Sequence, residues 1–311
     1  MYFQRALFFS WYCALGDCTF CYMSTQKDKI IDPKKARRRF SSIFAESIIS
    51  RVCNWKIEFV SGGYHSYTLD ELVFLVKGIY EITGQKQWLN IGSLSKIQLK
   101  KFIPYVEGYA GTIECVNWDL RPKVCPSKFV EPILKAFKAC DELNIKKAMT
   151  LIVGLGETIE DFKELEKFVK EHSIDRITFY ALNPHPATVF KYPPSKEYYS
   201  QWISKTREAF PDLDIVAGAW TDKIEYYSEI MRAGATDITK LPSIRKFNSK
   251  ELQFLQKDLE PFNFQSNLTK LPDIDWEKEV DDLSADTFSE ELKVDIKIKL
   301  NRYLKSMRKN Q

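Results

Sequence analysis

The sequence has no apolar run that approaches the roughly 20 residues needed to span a bilayer. Its start lacks the basic region, apolar segment and small-residue cleavage site of a secretory signal. It is therefore read as cytoplasmic, with no membrane partner. An excess of charge of one sign is missing too: 46 Lys+Arg face 42 Asp+Glu, a formal net charge of +4. Nothing global attracts nucleic acid at that balance, and the local run Lys34, Lys35, Arg37, Arg38, Arg39 is read as the solvated start of a helix. Histidine is scarce, with three in 311 residues, and the first is His65, so no imidazole lies near the N-terminal cysteines. Internal repeats and low-complexity segments are also missing.

What the chain does hold is a regular alternation. Composition, 44% hydrophobic and 14% aromatic, gives ample material for one large core. Apolar strand-like runs fall at about 6–12, 56–61, 88–91, 112–118, 148–153, 176–182, 215–218 and 237–239. Each is followed by a helical pattern, at about 32–49, 68–83, 95–105, 127–143, 158–171, 195–210, 223–232 and 249–259. Asp32 before Pro33 and Thr68 before Asp70 and Glu71 read as helix starts. Eight such units predict an α/β fold, a (β/α)8 TIM-type barrel with a C-terminal helical extension; an open doubly wound sheet is the fallback. The barrel is expected over 1–260. Residues 261–311 would form an acidic wrapping loop and an amphipathic helix carrying Leu292, Ile296, Leu300, Tyr303, Leu304 and Met307 on one face.

Seven cysteines, an odd number concentrated toward the N-terminal half, suit a reducing compartment and metal or cluster binding better than a disulfide framework. Three of them, Cys13, Cys18 and Cys21, form a C-x4-C-x2-C loop directly after the first strand. A zinc site normally takes four N or S ligands. A [4Fe-4S] cluster is held by cysteine thiolates and can leave one iron open. Three ordinary buried thiols are the remaining reading. Barrel active sites lie at the C-terminal ends of the strands, where Gly62-Gly63, Cys115-Val116-Asn117-Trp118-Asp119, Gly154-Leu155-Gly156-Glu157-Thr158 and Asn183-Pro184-His185-Pro186 also fall. Alternation along the fourth strand would send Cys115, Asn117 and Asp119 to one luminal face. Thr158 with Asp161 reads as a helix cap.

These segments together resemble the radical SAM enzymes, over roughly residues 5–260, in the branch that holds biotin synthase, the hydrogenase maturase HydE and methylornithine synthase. The family motif is C-x3-C-x2-C with an aromatic before the last cysteine; Phe20 takes that place, and the first gap is one residue longer. The resemblance implies a [4Fe-4S] cluster on Cys13, Cys18 and Cys21, and S-adenosylmethionine (SAM) as the second cofactor. Gly62 and Gly63 match the segment that meets the SAM amino group, with Tyr64 in place of the acidic residue; a tight turn wants glycine there as well. Asn117 and Asp119 match ribose-holding residues, and Gly154 and Gly156 a loop beside the adenine. His185 resembles a substrate-side residue suited to proton transfer, or else a packed imidazole in a Pro-flanked turn.

Biotin synthase carries a second cluster on cysteines whose counterparts, about Val60, Leu89 and Ala148, are apolar here. Cys115 either faces the substrate or is a small core residue, and with Cys125 it could form an isolated ligand pair. Cys53 and Cys140 read as core thiols. The activity implied is reductive SAM cleavage and hydrogen abstraction from a small molecule, in cofactor or metallocofactor biosynthesis, with ferredoxin or flavodoxin as electron donor. Sulfur insertion is the rival within enzymes, and a non-catalytic iron-sulfur or zinc-binding module the rival outside them.

Overall fold

Eight parallel strands follow one another in space in chain order: β1 (Gln4–Phe8), β2 (Lys56–Ser61), β3 (Gln87–Asn90), β4 (Val106–Glu114), β5 (Lys146–Val153), β6 (Arg176–Ala181), β7 (Asp214–Gly218) and β8 (Asp237–Thr239). The computed structural model describes residues 1–309. Sequential order with a helix returning each strand is the product of right-handed β-α-β crossovers. The ring closes where Phe3 bridges Ile238 in parallel and the Ile238 amide donates to the Tyr2 carbonyl at 3.1 Å. Asp237 locks this seam: its carboxylate accepts from the Tyr2 amide at 2.6 Å, Gln4 Nε2 at 2.6 Å and Lys56 Nζ at 3.3 Å. The chain is a (β/α)8 TIM-type barrel.

Side-chain size sets what the lumen can contain. Ala6, Ala110 and Ala148 leave room for Phe59, Trp88 and Tyr180, which pack with them as a luminal plug. Gly108 serves the same end, since a Cβ there would lie 2.1 Å from the Trp88 ring. Glu58 is the one carboxylate of β2 and is fully buried, with its oxygens taken by the Tyr180 hydroxyl and by Thr239 Oγ1 at 2.5 Å. Burial and the neighbouring Glu58 carboxylate together push the Tyr180 phenol well above its ordinary value, so the hydroxyl remains the donor.

Outside the barrel run α1 (Phe40–Val52), α2 (Leu69–Thr83), α3 (Lys96–Lys100), α4 (Arg121–Val124), α5 (Glu131–Leu143), α6 (Phe162–His172), α7 (Lys196–Ala209), α8 (Tyr226–Arg232) and α9 (Lys250–Asp258). Helix α2 starts at a capping box, Thr68 with Glu71, and stops at Gly84 in the left-handed region, as its sequence predicts. Several boundaries differ from the expectation. The first strand ends at Phe8, so Phe9–Tyr12 already belong to the loop. Asp32 caps a separate 3-10 turn, Pro33–Ala36, and α1 begins only at Phe40. The reason is that Arg37 and Arg38 are not solvated: Arg37 pairs with Glu71 and Arg38 with Glu46. Beyond β3 the helix is a single short turn, and α5 starts at Glu131, four residues after the expected start at 127.

The C-terminal segment contributes α10 (Lys278–Asp281) and α11 (Glu290–Arg308). Ile296, Leu300, Leu304 and Met307 of α11 are buried, and the helix lies mainly on α1. The acidic stretch is fastened by ion pairs, Glu279 with Arg51 and Asp281 with Lys297. The last two residues of the expected extension lie outside the described residues. Among the described residues no helix is long and apolar enough to cross a membrane.

One buried carboxylate joins β1, α1 and α11. Glu46 meets Arg5 at 3.1 Å and Arg38 at 2.7 Å, and Arg38 also donates to the Tyr303 hydroxyl at 3.2 Å. Burial alone would raise the Glu46 carboxyl, but the two guanidiniums hold it below its ordinary value. A depressed folded value gives stability that is present above the unfolded carboxylate range, about pH 4.3, and is lost as the pH falls through the folded value. Replacing Glu46 by Ala leaves two cations unpaired and should cost about 3–5 kcal/mol, read by denaturant unfolding. In Glu46→Gln the acid-side loss of stability should shrink; an unchanged acid limb would refute the linkage.

Candidate functional site

The cysteine loop leaves the C-terminal end of β1 and is clamped from both sides. The Ala14 amide donates to the Tyr64 carbonyl at 3.1 Å, and the Thr19 amide to the Val124 carbonyl at 3.0 Å. Ser24 Oγ donates to the carbonyls of Cys18 at 2.7 Å and Cys21 at 2.5 Å. Gly62-Gly63 press directly on the loop: a Cβ on Gly63 would lie 1.9 Å from the Tyr12 carbonyl and 2.6 Å from Cys13 Cβ, and one on Gly62 would enter the Phe9 ring at 2.3 Å. Both positions therefore exclude any side chain, and the reason is contact with the loop that carries the thiols.

Cys13, Cys18 and Cys21 are all free thiols. A hydrogen bond with Cys125 brings Cys18 down to about 7 against its burial, with help from Lys128. Burial pushes Cys21 up to about 11. Lys128 is largely covered here, pairs with Glu114 at 2.8 Å, and Glu114 also accepts from Thr150 Oγ1 at 3.1 Å. Although burial disfavours its charge, Glu114 and the thiols of Cys18 and Cys125 hold the Lys128 ammonium well above its usual range. Among the described residues no three Cys, His, Asp or Glu side chains converge closely enough to hold a single metal ion. In an iron-sulfur cluster each thiolate takes its own iron, and three free thiols on one clamped loop are the donor set such a cluster requires.

The fourth strand requires a correction. It ends at Glu114, whose φ of +67° breaks the extended run, so the alternation expected through Asp119 does not exist. Cys115, Asn117 and Asp119 do not share a luminal face. Cys115 is 2% exposed in an apolar cluster with Cys18, Cys125, Leu155 and Leu182. It donates to the Asn117 carbonyl at 3.8 Å, and burial pushes it up to about 12. It shares that cluster with Cys125, which packs there with Cys18 of the loop. Asn117 is committed locally: Nδ2 donates to both Asp161 oxygens at 3.1 Å, and Oδ1 accepts from the Leu120 amide at 2.9 Å. Asp119 is exposed in the following turn. Cys53 and Cys140 are fully buried, and burial pushes both up to about 12.

The loops after β5 and β6 complete the rim. Gly154 and Gly156 have φ of +109° and +116°, and the Glu157 carboxylate accepts from the amides of Gly154 at 2.6 Å and Leu155 at 2.8 Å. Asp161 Oδ2 accepts from the Thr158 amide at 2.9 Å, so Asp161 ties this turn to Asn117 of the β4 loop. His185 is half-buried, its ring edge-on to Tyr22 at 4.9 Å. Its Nδ1 accepts from the Ala187 amide at 3.3 Å, which leaves Nε2 as the ring nitrogen without a hydrogen bond among the described residues. A cavity of about 530 Å³ opens beside it, lined in part by Phe20, Cys21, Tyr180, His185 and Lys240. Sequence reading missed Glu58, Glu114, Lys128 and Lys240; the signal for Glu58 was a lone charge inside the apolar run Lys56–Ser61.

A (β/α)8 barrel with a thiol-bearing loop at its catalytic rim defines the class. The Radical SAM superfamily family model matches residues 9–169. The uncharacterized protein MJ0597 of Methanocaldococcus jannaschii is 39% identical over 260 residues, which cover 83% of this chain and 72% of that protein. The uncharacterized protein MJ0785 of the same organism is 25% identical over 192 residues, covering 60% of this chain and 51% of that protein. The chain belongs to the radical SAM superfamily and is an enzyme of that superfamily, whose cofactors are SAM and an iron-sulfur cluster. Among solved structures the fold is similar to methylornithine synthase (PylB), with a TM-score of 0.70, 18% identity, and 85% and 83% of the two chains covered.

The Asp161 link gives a direct test. Asp161→Ala strips Asn117 Nδ2 and the Thr158 amide of their acceptor and should cost about 1–3 kcal/mol. Denaturant unfolding measures it, and an unchanged midpoint would show that the two loops are independent.

Proposed function

We propose that this enzyme uses one [4Fe-4S] cluster held by Cys13, Cys18 and Cys21 to cleave SAM reductively and abstract hydrogen from a small-molecule substrate. The observation that carries the reading is the clamped loop itself: three free thiols at the catalytic end of a barrel, in a chain of this superfamily. When bound, the cluster and SAM supply an electron and a 5′-deoxyadenosyl radical that takes hydrogen from an unactivated C-H bond. The chain's own residues position and exclude. Gly62 and Gly63 keep the loop on the barrel rim and bring backbone to the SAM amino group. Asp119, exposed on the rim, is the ribose acceptor, while Asn117 frames that loop through Asp161. Gly154 and Gly156 let the backbone pass beside the adenine, and Phe20 lines the cavity next to Cys21 of the loop.

Cys115, one apolar layer behind Phe20 and Cys21, packs the floor of the loop. His185 presents Nε2 to the cavity for a hydrogen bond or a proton. The apolar luminal plug keeps water and stray hydrogen donors from the radical. The substrate belongs to cofactor or metallocofactor biosynthesis in this reading, by analogy with the branch, with a ferredoxin or flavodoxin as reductant and the cytoplasm as the compartment.

Anaerobic reconstitution tests the cluster. Replacing Cys13, Cys18 and Cys21 together by Ala should abolish the visible absorbance, the paramagnetic signal of the reduced state and 5′-deoxyadenosine formation from SAM. A triple variant that keeps its iron complement would sink the assignment. Asp119→Ala should weaken SAM binding about ten- to a hundredfold, the loss of one charge-assisted hydrogen bond. Titration of SAM into the reconstituted variant measures this, and unchanged affinity removes Asp119 from the cofactor site.

A further inference from the structure

The 530 Å³ cavity has a one-sided charge pattern. None of its lining residues is an Asp or a Glu, yet Arg5, Lys240 and Arg245 all contribute to its wall. Arg5 is already spent on Glu46 at 3.1 Å and on Ser243 Oγ at 2.9 Å. Lys240, which is half-buried, and Arg245, which is exposed, are not. Among the described residues neither makes a hydrogen bond or an ion pair; the contacts of Lys240 Nζ are the faces of three rings, Tyr180 at 4.3 Å, Phe8 at 5.2 Å and Phe59 at 5.9 Å. Rings attract a cation, but they do not neutralise it, and an unpaired charge against an apolar wall is costly.

The backbone is arranged to keep this ammonium where it is. Lys240 directly follows β8, at the end of the barrel where catalytic groups gather. Its φ is +68°, a conformation that a non-glycine residue holds only when its surroundings impose it. Gly218 at the end of β7 provides the space, since a Cβ there would lie 2.7 Å from Lys240 Cγ. The nearby luminal carboxylate, Glu58, has its two oxygens occupied by Tyr180 and Thr239. The pattern leaves an anion as the missing partner, and the aromatic wall adds an apolar body.

We infer that this cavity binds an organic anion, an apolar or aromatic molecule bearing a carboxylate or phosphate, with Lys240 and Arg245 as the anion-binding pair. The inference rests on the reading of this cavity as the substrate chamber. It names the substrate class that the proposed function leaves open. A cavity of this volume is within the range that encloses a small ligand.

Calorimetric titration of the anaerobically reconstituted enzyme, with SAM present, tests it with three probes of similar length: phenylacetate, its neutral amide and phenyl phosphate. One charge-assisted contact gives a preference for anion over amide of about tenfold or more. The better of the two anions identifies the headgroup. Lys240→Met should abolish the preference, and Lys240→Arg should retain most of it. Equal binding of the amide and both anions overturns the proposal, as does no binding of either anion; neither result depends on a variant folding. A Lys240→Met variant that keeps the anion preference also overturns it. SAM affinity should be unchanged in Lys240→Met; a loss of about tenfold would assign the ammonium to the SAM carboxylate instead and likewise overturn the proposal. Failure of the radical reading is seen separately, as absence of 5′-deoxyadenosine from the parent enzyme whatever the probes do.

Discussion

A barrel has a lumen only if its last strand meets its first, and here that meeting is narrow. Strand β8 has three residues and joins β1 through a single bridge, Phe3 with Ile238. So short a backbone pairing gives few ladder hydrogen bonds, and the Asp237 carboxylate makes up the deficit with donors from Tyr2, Gln4 and Lys56. Asp237 is 2% exposed, so its charge is balanced by these neighbours rather than by water. Everything placed at the rim depends on this closure, because each loop inherits its direction from the strand beneath it. Thr239 and Lys240 follow Asp237 by two and three residues, which links the seam to the luminal carboxylate on one side and to the cationic wall on the other.

The barrel combines an apolar plug with buried carboxylates that are satisfied within the protein. Alanines with Phe59, Trp88 and Tyr180 make the apolar plug. The buried carboxylates near it are satisfied within the protein: Glu58 by two hydroxyls, Glu114 by Lys128 and Thr150. Toward the cavity the balance reverses, and cations remain without carboxylates. Such an order confines fixed negative charge to positions where it is hydrogen-bonded, and it leaves the open space electropositive. Low dielectric in the plug magnifies the field that a bound group would feel.

Much of this was readable from the chain, and the failures share one cause. Periodicity gave the eight units and the docking face of α11, because burial imposes period on any sequence that must fill a core. The thiol loop was readable because its residue types and spacing are chemically unusual. Boundaries failed where a side chain far away in sequence decides the local conformation. Arg37 and Arg38 look like surface charges until Glu71 and Glu46 arrive from α2 and α1, so the helix expected at Asp32 starts at Phe40. Strand β4 was extended too far because Glu114 gives no local sign that it will take a left-handed φ; Lys128 and Thr150 hold its carboxylate in place. Lys240 was invisible for the same reason, since nothing in its own segment shows that Phe8, Phe59 and Tyr180 surround it.

The way α11 is seated affects the order in which the chain can be finished. Its buried face covers α1, and its Tyr303 hydroxyl meets Ser42 at 2.6 Å and Arg38 at 3.2 Å, beside the Glu46 network formed by the first helix. During synthesis the ribosome releases α1 about 250 residues before α11 exists, at rates of roughly 5–20 residues per second. For that interval the apolar outer face of α1 has no cover. The N-terminal helix is thus made first and completed last, and the nascent chain has to keep that face from foreign contacts until its own end appears.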